Sequence, residues 1–208
     1  MSSIPVVIMG LKRANSKAKS TQRHFKKMGF KNVSIFYGLD IKGKNPEKIK
    51  SHQVVAYNNL LILEKNKDKP QLLIAEDDAR ITKPKELMKH LNKGIKGIDR
   101  LIYNYRFRDK KTKKLITQNA ALIGYDNNGI NRALTLKYTD GHWDLALSRK
   151  LSERASGPYG IEYLYPSMKK KGGVVVGLDD FHKKLKIQEK ISDAYDKGEA
   201  IPLHRKRY

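Results

Sequence analysis

The sequence predicts an α/β fold in which helices flank a central, mostly parallel sheet. Short apolar segments of strand type alternate with longer segments in which apolar residues recur at helical spacing. Strands and helices that alternate in this way are joined by right-handed crossovers, which produce a parallel sheet. With 208 residues, of which 39% are hydrophobic, the chain is long enough to bury one core, and we expect residues 1–208 to form a single domain.

The first half of the chain supplies the alternating elements. Apolar runs predict its strands, and apolar residues at helical spacing predict its helices. A glycine follows the first helix, Ser51 is a suitable N-cap for the second, and a proline opens the third. The predicted strands are Ile4–Leu11, Val33–Tyr37 and Gln71–Ala75, and the predicted helices are Thr21–Met28, Ser51–Lys65 and Pro84–Asn92.

The second half begins with a predicted hairpin. Arg100–Arg108 alternates aromatic and polar residues, and Leu115–Tyr125 is expected to return as its partner strand across a lysine-rich turn. Beyond it, the pattern predicts helices over Asn127–Leu136 and Trp143–Leu151, a strand over Val174–Leu178 and a helix over Lys184–Asp196.

The chain carries a large excess of positive charge. Its 44 lysines and arginines against 21 aspartates and glutamates give a formal charge of +23. Such a charge favours a polyanionic partner, which could be nucleic acid, an anionic membrane surface or an acidic glycan. The alternative is a lysine-rich surface that only keeps the protein in solution.

The composition also excludes several kinds of site. There is no cysteine, so disulfides, thiol nucleophiles and cysteine-ligated zinc are excluded. No apolar stretch approaches the roughly 20 residues needed to cross a bilayer, and the first apolar run lacks the cleavage pattern of a signal peptide. We therefore expect a cytoplasmic protein with no transmembrane segment, and we infer no obligate protein partner.

Three consecutive acids, Glu76-Asp77-Asp78, directly follow the predicted strand Gln71–Ala75. Carboxylates at the end of a buried strand repel one another and are costly to desolvate. A hard divalent cation such as Mg2+ or Mn2+ removes both costs, because it takes oxygen ligands. The motif therefore predicts a metal site and, through the metal, a phosphate site. The alternative is a solvated acidic turn paired with Arg80.

Further motifs stand in order along the chain around this acidic one. They are Leu11-Lys12-Arg13, Gly38-Leu39-Asp40, Ser51-His52 at the start of a helix, Leu73-Ile74-Ala75-Glu76-Asp77-Asp78-Ala79 and Asp140-Gly141-His142-Trp143-Asp144. The ordered set resembles the lipopolysaccharide-type sugar transferases, family 25 of the glycosyltransferases, over residues 4–177. The chain departs from that family in its short length, its high charge and the absence of a glycine directly after Asp40.

The resemblance implies a GT-A fold, a nucleotide-sugar donor, with uridine diphosphate as the carrier by analogy, and a divalent metal, Mn2+ or Mg2+. On this interpretation Glu76 and Asp78 hold the metal, with His142 as a further ligand. Asp77 points to the other side of the strand end, either toward the ribose or toward groups that support the metal ligands. Four residues after the first two strands are expected to bind the nucleotide: Leu11, Lys12, Arg13 and Asp40. The guanidinium of Arg13 can bind a phosphate through two hydrogen bonds. The alternative is that Leu11-Lys12-Arg13 is an ordinary basic loop.

The acceptor side is expected to involve the second acidic motif and the hairpin. Asp144 is the first candidate for the base that takes the acceptor proton, and Asp140 is the second. Trp143 is a candidate for stacking on a sugar ring; alternatively, Asp140 caps the following helix and Trp143 packs in the core. In the hairpin, four cationic residues suit a phosphate backbone, namely Arg106, Arg108, Lys110 and Lys111. The alternative is an ordinary strand with a solvated turn.

Together these features favour a metal-dependent hexosyl- or pentosyltransferase. Because the charge is high, the favoured acceptor is a hydroxymethylated base in DNA, as a virus modifying its genome in the host cytoplasm would require. Such a base must be extruded from the stack to be reached. A second hypothesis keeps the chemistry and makes the acceptor a cell-surface glycan, a lipid-linked sugar or a protein. A third is a non-enzymatic nucleic-acid-binding protein in which the acidic motif is incidental.

Overall fold

The structure, a computed structural model, describes residues 2–42, 48–81, 84–101, 106–108, 115–117, 121–151, 154–155 and 161–163. The chain divides into two compact units, Met1–Tyr103 with Asn119–Leu164, and Asn104–Gln118 with Tyr165–Tyr208. In the second unit, the described residues form an antiparallel pair, β6 (Arg106–Arg108) and β7 (Leu115–Thr117). That the chain is one domain stays a prediction.

The first unit is built on a six-stranded sheet. Its strands are β1 (Val6–Gly10), β2 (Val33–Tyr37), β3 (Gln71–Glu76), β5 (Ile98–Arg100), β8 (Leu122–Asp126) and β9 (Arg154–Ala155), in the spatial order β2-β1-β3-β8-β5-β9. β1 is parallel to β2 and β3, and β5 is parallel to β9, whereas β8 is antiparallel to both of its neighbours. A separate antiparallel pair joins β4 (Ala79–Ile81) to β10 (Ile161–Tyr163).

Helices cover both faces of the sheet. They are α1 (Asn15–Lys27), α2 (Val54–Lys65), α3 (Pro84–Leu91), α4 (Asn127–Ala133) and α5 (Trp143–Lys150). Alternate strand residues point to opposite faces, so that Leu73 packs in the core under α1 and α3, whereas Leu72 and Ile74 pack in the core under α2, α4 and α5. Among the described residues, no helix is long and apolar enough to cross a membrane.

The predicted α/β architecture is confirmed, and its boundaries are corrected in three places. α1 begins at Asn15 rather than Thr21, and a 3-10 turn, Ser51–Gln53, precedes α2, so that Ser51 is not its N-cap. The predicted hairpin is wrong as a single pair: β5 and β8 belong to the main sheet, and β6 pairs with β7. The predicted strand Val174–Leu178 and helix Lys184–Asp196 lie outside the described residues.

Two close approaches fix the loops after β1 and β2. A Cβ on Gly10 would lie 2.9 Å from the Cβ of Ala18, so this glycine lets α1 pack against the end of β1. A Cβ on Gly38 would lie 2.4 Å from Cγ of Asn58, which is buried in α2. Asn58 accepts a hydrogen bond from Leu39 N at 2.8 Å and therefore holds the chain as it leaves β2.

Candidate site at the carboxyl ends of the strands

Because β1, β2 and β3 are parallel, the segments that follow them meet at one edge of the sheet. This strand-end edge carries Leu11-Lys12-Arg13 after β1, Asp40 after β2, and Asp77 and Asp78 after β3. Ligands of open α/β sheets bind at such edges. The predicted nucleotide-binding residues and the acidic motif are thus brought to the same edge.

A lysine that the sequence analysis overlooked joins the two aspartates. Lys17, in the first turns of α1, places Nζ 2.7 Å from Oδ1 of Asp77 and 3.0 Å from Oδ2 of Asp78. Only 16% and 13% of the two aspartate side chains are exposed, and 27% of the lysine side chain. The ammonium group therefore lies between two carboxylates that would otherwise repel one another in a poorly solvated place.

The environment shifts the pKa values of this cluster. Burial raises the pKa of Asp78, and the Lys17 charge only partly offsets that effect. Burial opposes the charge on Lys17, but its hydrogen bonds to Asp77 and Asp78 prevail and raise its pKa. The lysine is therefore firmly charged, whereas Asp78 ionises less readily than an ordinary aspartate.

The turn that carries the aspartates is bound to α1 by its backbone. Thr21 donates its hydroxyl to the carbonyl oxygen of Asp77. Arg80 donates to the Thr21 hydroxyl, to Ala79 O at 2.8 Å and to the Ser20 hydroxyl at 3.1 Å. The expected alternative, in which Arg80 pairs with the acidic turn, is thus corrected. Arg80 fixes the turn through hydroxyl and carbonyl groups, and Lys17 forms the ion pairs.

A second ion pair links the ends of β1 and β2. Arg13 donates Nε to Oδ2 of Asp40, and Asp40 also accepts from Lys42 N at 3.1 Å. Burial of Asp40 works against these contacts, but the hydrogen bonds from Lys42 and Arg13 prevail and lower its pKa. Arg13 is half exposed, at 54% of its side chain, so it remains open to solvent on one side. Two of the residues that were predicted to bind the nucleotide are therefore in contact.

Two histidines meet where α2 and α5 begin. His52 belongs to the turn before α2, His142 directly precedes α5, and their ring centroids are 5.8 Å apart. Both side chains are exposed. The second acidic motif is thus connected to the Ser-His motif at the start of α2, a contact that neither motif predicts alone.

The remaining residues of the second acidic motif have largely structural contacts. Trp143 is 1% exposed and donates Nε1 to the hydroxyl of Tyr125 at 3.4 Å, so the core alternative holds and the ring has no open face for a sugar. Asp140 accepts hydrogen bonds from the side chain of Lys150 and from Lys137 N, the latter at 2.9 Å, and these bonds lower its pKa. Asp144 accepts from Leu145 N at 2.9 Å through Oδ1. The roles of Asp144 and Asp140 as bases stay predictions.

The carboxylates suit a hard cation by their chemistry, but they already surround the Lys17 ammonium. Within the described part of the chain, no three His, Asp or Glu side chains are grouped to hold a metal ion, so Glu76, Asp78 and His142 are not brought together as a triad. Their assignment as metal ligands stays a prediction. The side chains of Arg106 and Arg108, and all of Lys110 and Lys111, lie outside what the structure describes.

The fold matches those of solved glycosyltransferases. A glycosyltransferase involved in the glycosylation of the major capsid of PBCV-1 aligns with a TM-score of 0.50 at 9% identity, over 76% of this chain and 83% of that one. The galactosyltransferase LgtC, in complex with donor and acceptor sugar analogs, aligns with a TM-score of 0.50 at 10% identity, over 92% and 96%. An active-site mutant of LgtC gives 0.50 at 11% identity, over 89% and 96%.

At this level of identity the likeness establishes the fold, and it confirms the predicted GT-A type of α/β sandwich. No family model and no curated protein matches the sequence. The resemblance to glycosyltransferase family 25 therefore stays a prediction.

Proposed function

We propose that this protein transfers a sugar from a nucleotide-sugar donor to a hydroxyl group. The observation that carries the proposal is the meeting of two charged clusters, Arg13 with Asp40 and Lys17 with Asp77 and Asp78, at the strand-end edge of a GT-A fold. The neighbours of this fold are glycosyltransferases, one of them bound to donor and acceptor sugar analogs.

The clusters offer a chemically suitable place for a donor diphosphate. Arg13 is half exposed and has a guanidinium that can turn toward a phosphate. Asp40, which follows β2, would contact the ribose or the base. Lys17 is paired with Asp77 and Asp78, so its role would be to hold the acidic turn beside the end of β3. A Mn2+ or Mg2+ ion held by the acidic motif would neutralise the leaving diphosphate. The donor is proposed to be a uridine diphosphate sugar, either a hexose or a pentose.

The donor half of the proposal is tested by thermal shift and hydrolysis assays. A panel of nucleotide sugars is added to the wild type with and without Mn2+, and ligand binding raises the melting temperature by mass action. We expect a uridine diphosphate sugar to stabilise the wild type and Asp78→Asn to lose most of this effect. Asp68→Asn, at an exposed turn, is the matched control. The proposal is wrong if no nucleotide sugar stabilises the wild type under any condition.

For the acceptor we propose a hydroxymethylated base in DNA, modified in the cytoplasm of an infected cell. The support is the charge of +23. Sugar transfer to hydroxymethylated duplex DNA, with unmodified duplex as the control, is the direct assay. Transfer only to a glycan, a lipid-linked sugar or a protein would support the second hypothesis instead. DNA binding without any sugar-nucleotide turnover, unchanged in Asp78→Asn, would support the non-enzymatic one.

A further inference from the structure

The exposed side of α1 carries four cations, and a fifth lies in the 3-10 turn that precedes the helix. All five side chains are exposed; we call them the α1 basic stripe, and they are Lys12, Lys19, Arg23, Lys26 and Lys27. On the opposite side, Ala18, Thr21 and Phe25 are fully buried. At about 100° per residue, the four stripe residues of α1 fall within an arc of about 100°. The packing of the helix therefore fixes the direction in which the stripe faces.

The charges of the stripe are not neutralised locally. α1 contains no acidic residue, and its sequence is NSKAKSTQRHFKK. Among the described residues, no carboxylate forms an ion pair with a member of the stripe, in contrast to Lys17 and Arg13, which are both paired. Lysines in a last turn favour the helix dipole, which accounts for Lys26 and Lys27 but not for Lys12, Lys19 or Arg23.

We propose that the α1 basic stripe is a docking surface for the phosphodiester backbone of duplex DNA. Within α1, from Lys19 to Lys27, the stripe extends about 12 Å at a rise of 1.5 Å per residue, and Lys12 lengthens it toward the strand-end edge. The helical part alone corresponds to about three to four base pairs at 3.4 Å each. The stripe begins beside Arg13, at the strand-end edge, so a duplex lying along it reaches the proposed site. The inference rests on the DNA-acceptor part of the proposed function and not on the sugar donor.

Several observations favour a nucleic acid over an anionic membrane. A surface that inserts into lipid combines cations with exposed apolar side chains. Among the described residues, Val55 is the large hydrophobic side chain that is exposed, and it lies on α2. The stripe itself offers charge along one helix and the turn before it, with no large hydrophobic side chain exposed among its members. A linear polyanion fits that arrangement.

The test measures DNA binding across salt concentrations, without donor or metal. The stripe variant carries Lys19→Gln, Arg23→Gln and Lys26→Gln. The control variant carries Lys69→Gln, Lys93→Gln and Lys96→Gln, which remove the same charge from exposed positions near the amino ends of β3 and β5. Each lost phosphate contact lowers the slope of log K against log salt by about 0.9, so we expect the stripe variant to lose about 2 to 3 in slope and at least about tenfold in affinity. The control should change affinity less than about threefold.

Three outcomes would overturn the inference: no salt-sensitive binding of duplex DNA by the wild type, equal losses in both variants, or loss of binding to phosphatidylserine vesicles with DNA binding unchanged. Circular dichroism checks that both variants are folded. Donor binding, measured by thermal shift with a nucleotide sugar, should be the same in both variants and the wild type. A failure of this inference is therefore distinguishable from a failure of the proposed sugar transfer.

Discussion

Replacing Lys17 with methionine is the most informative single change at the strand-end edge. Methionine keeps most of the apolar stem and removes the ammonium group that lies between Asp77 and Asp78. Removing one partner of a fully buried ion pair costs about 3–5 kcal/mol. Because Lys17 is 27% exposed, solvent screens part of this loss, and we expect the free energy of unfolding to fall by about 1–3 kcal/mol at pH 7.

The raised pKa of Lys17 determines the pH at which the stability of Lys17→Met is best measured. The pKa of Lys17 is raised on folding, so its contribution to stability is fully present below the ordinary lysine pKa and is lost only as the pH rises through the folded value. At pH 7 the contribution is therefore complete. Urea unfolding at pH 7 compares Lys17→Met with Lys19→Met, an exposed neighbour on the same helix that should stay within about 0.5 kcal/mol of the wild type.

A divalent cation provides a second readout. With the ammonium gone, Asp77 and Asp78 face each other without a counter-charge, so Mn2+ should raise the melting temperature of Lys17→Met more than that of the wild type. Adding Asp78→Asn to Lys17→Met should recover part of the lost stability and abolish the response to Mn2+. The reasoning is refuted if Lys17→Met unfolds at the same urea concentration as the wild type and Mn2+ affects both proteins equally.

Three further predictions concern the scaffold around the site. Burial, and then the Arg80 charge, lower the pKa of His24 in the folded protein. The free energy of unfolding should therefore fall as the pH drops from about 6.5 through the pKa that His24 has in the folded state. His24→Gln should weaken this pH dependence, measured by urea unfolding at pH 7.5 and at pH 5. Gly38→Ala should cost about 1–3 kcal/mol, since the new Cβ meets Asn58 at 2.4 Å, and an unchanged melting temperature would contradict this packing. Asp126→Ala should lower the free energy of unfolding by about 1–3 kcal/mol, because the Asp126 carboxylate accepts hydrogen bonds from Gly129 N at 2.6 Å and from Gly97 N at 2.7 Å. A calorimetric scan measures the loss, and Asp68→Asn is the control.

The sequence allows the alternating part of the fold to be predicted well. Val33–Tyr37 is a strand at the predicted residues, and Gln71–Glu76 exceeds its predicted end by one residue, because continuous apolar runs between polar turns have few alternatives. The strand-end position of Asp40, Asp77 and Asp78 follows from the same pattern. The order of residues along the chain does not predict which charged side chains pair with one another.

Lys17 shows why part of the site could not be predicted. The first turns of α1 are polar, with Ala18 as their one buried apolar residue, so helical periodicity detects the helix only from Thr21 onward and leaves Lys17 in a loop. The helix begins earlier because Ala18 packs against Gly10 and Asn15 accepts from the hydroxyl of Tyr37. These contacts join distant parts of the sequence. Similarly, the alternation of side chains across Arg100–Arg108 predicted a single strand. In the structure this range contains the end of β5 and all of β6, which pair with different strands.

The reversed direction of β8 has a consequence for the connection that precedes it. Because β8 is antiparallel to β5, the chain leaves the sheet after Leu101 and rejoins it at Leu122, and Leu101 N donates to Leu122 O at 3.1 Å. Because the two ends of the connection lie side by side, a change in its length does not require the paired strands to move apart. The sheet that carries the charged clusters therefore does not depend on the length of this connection.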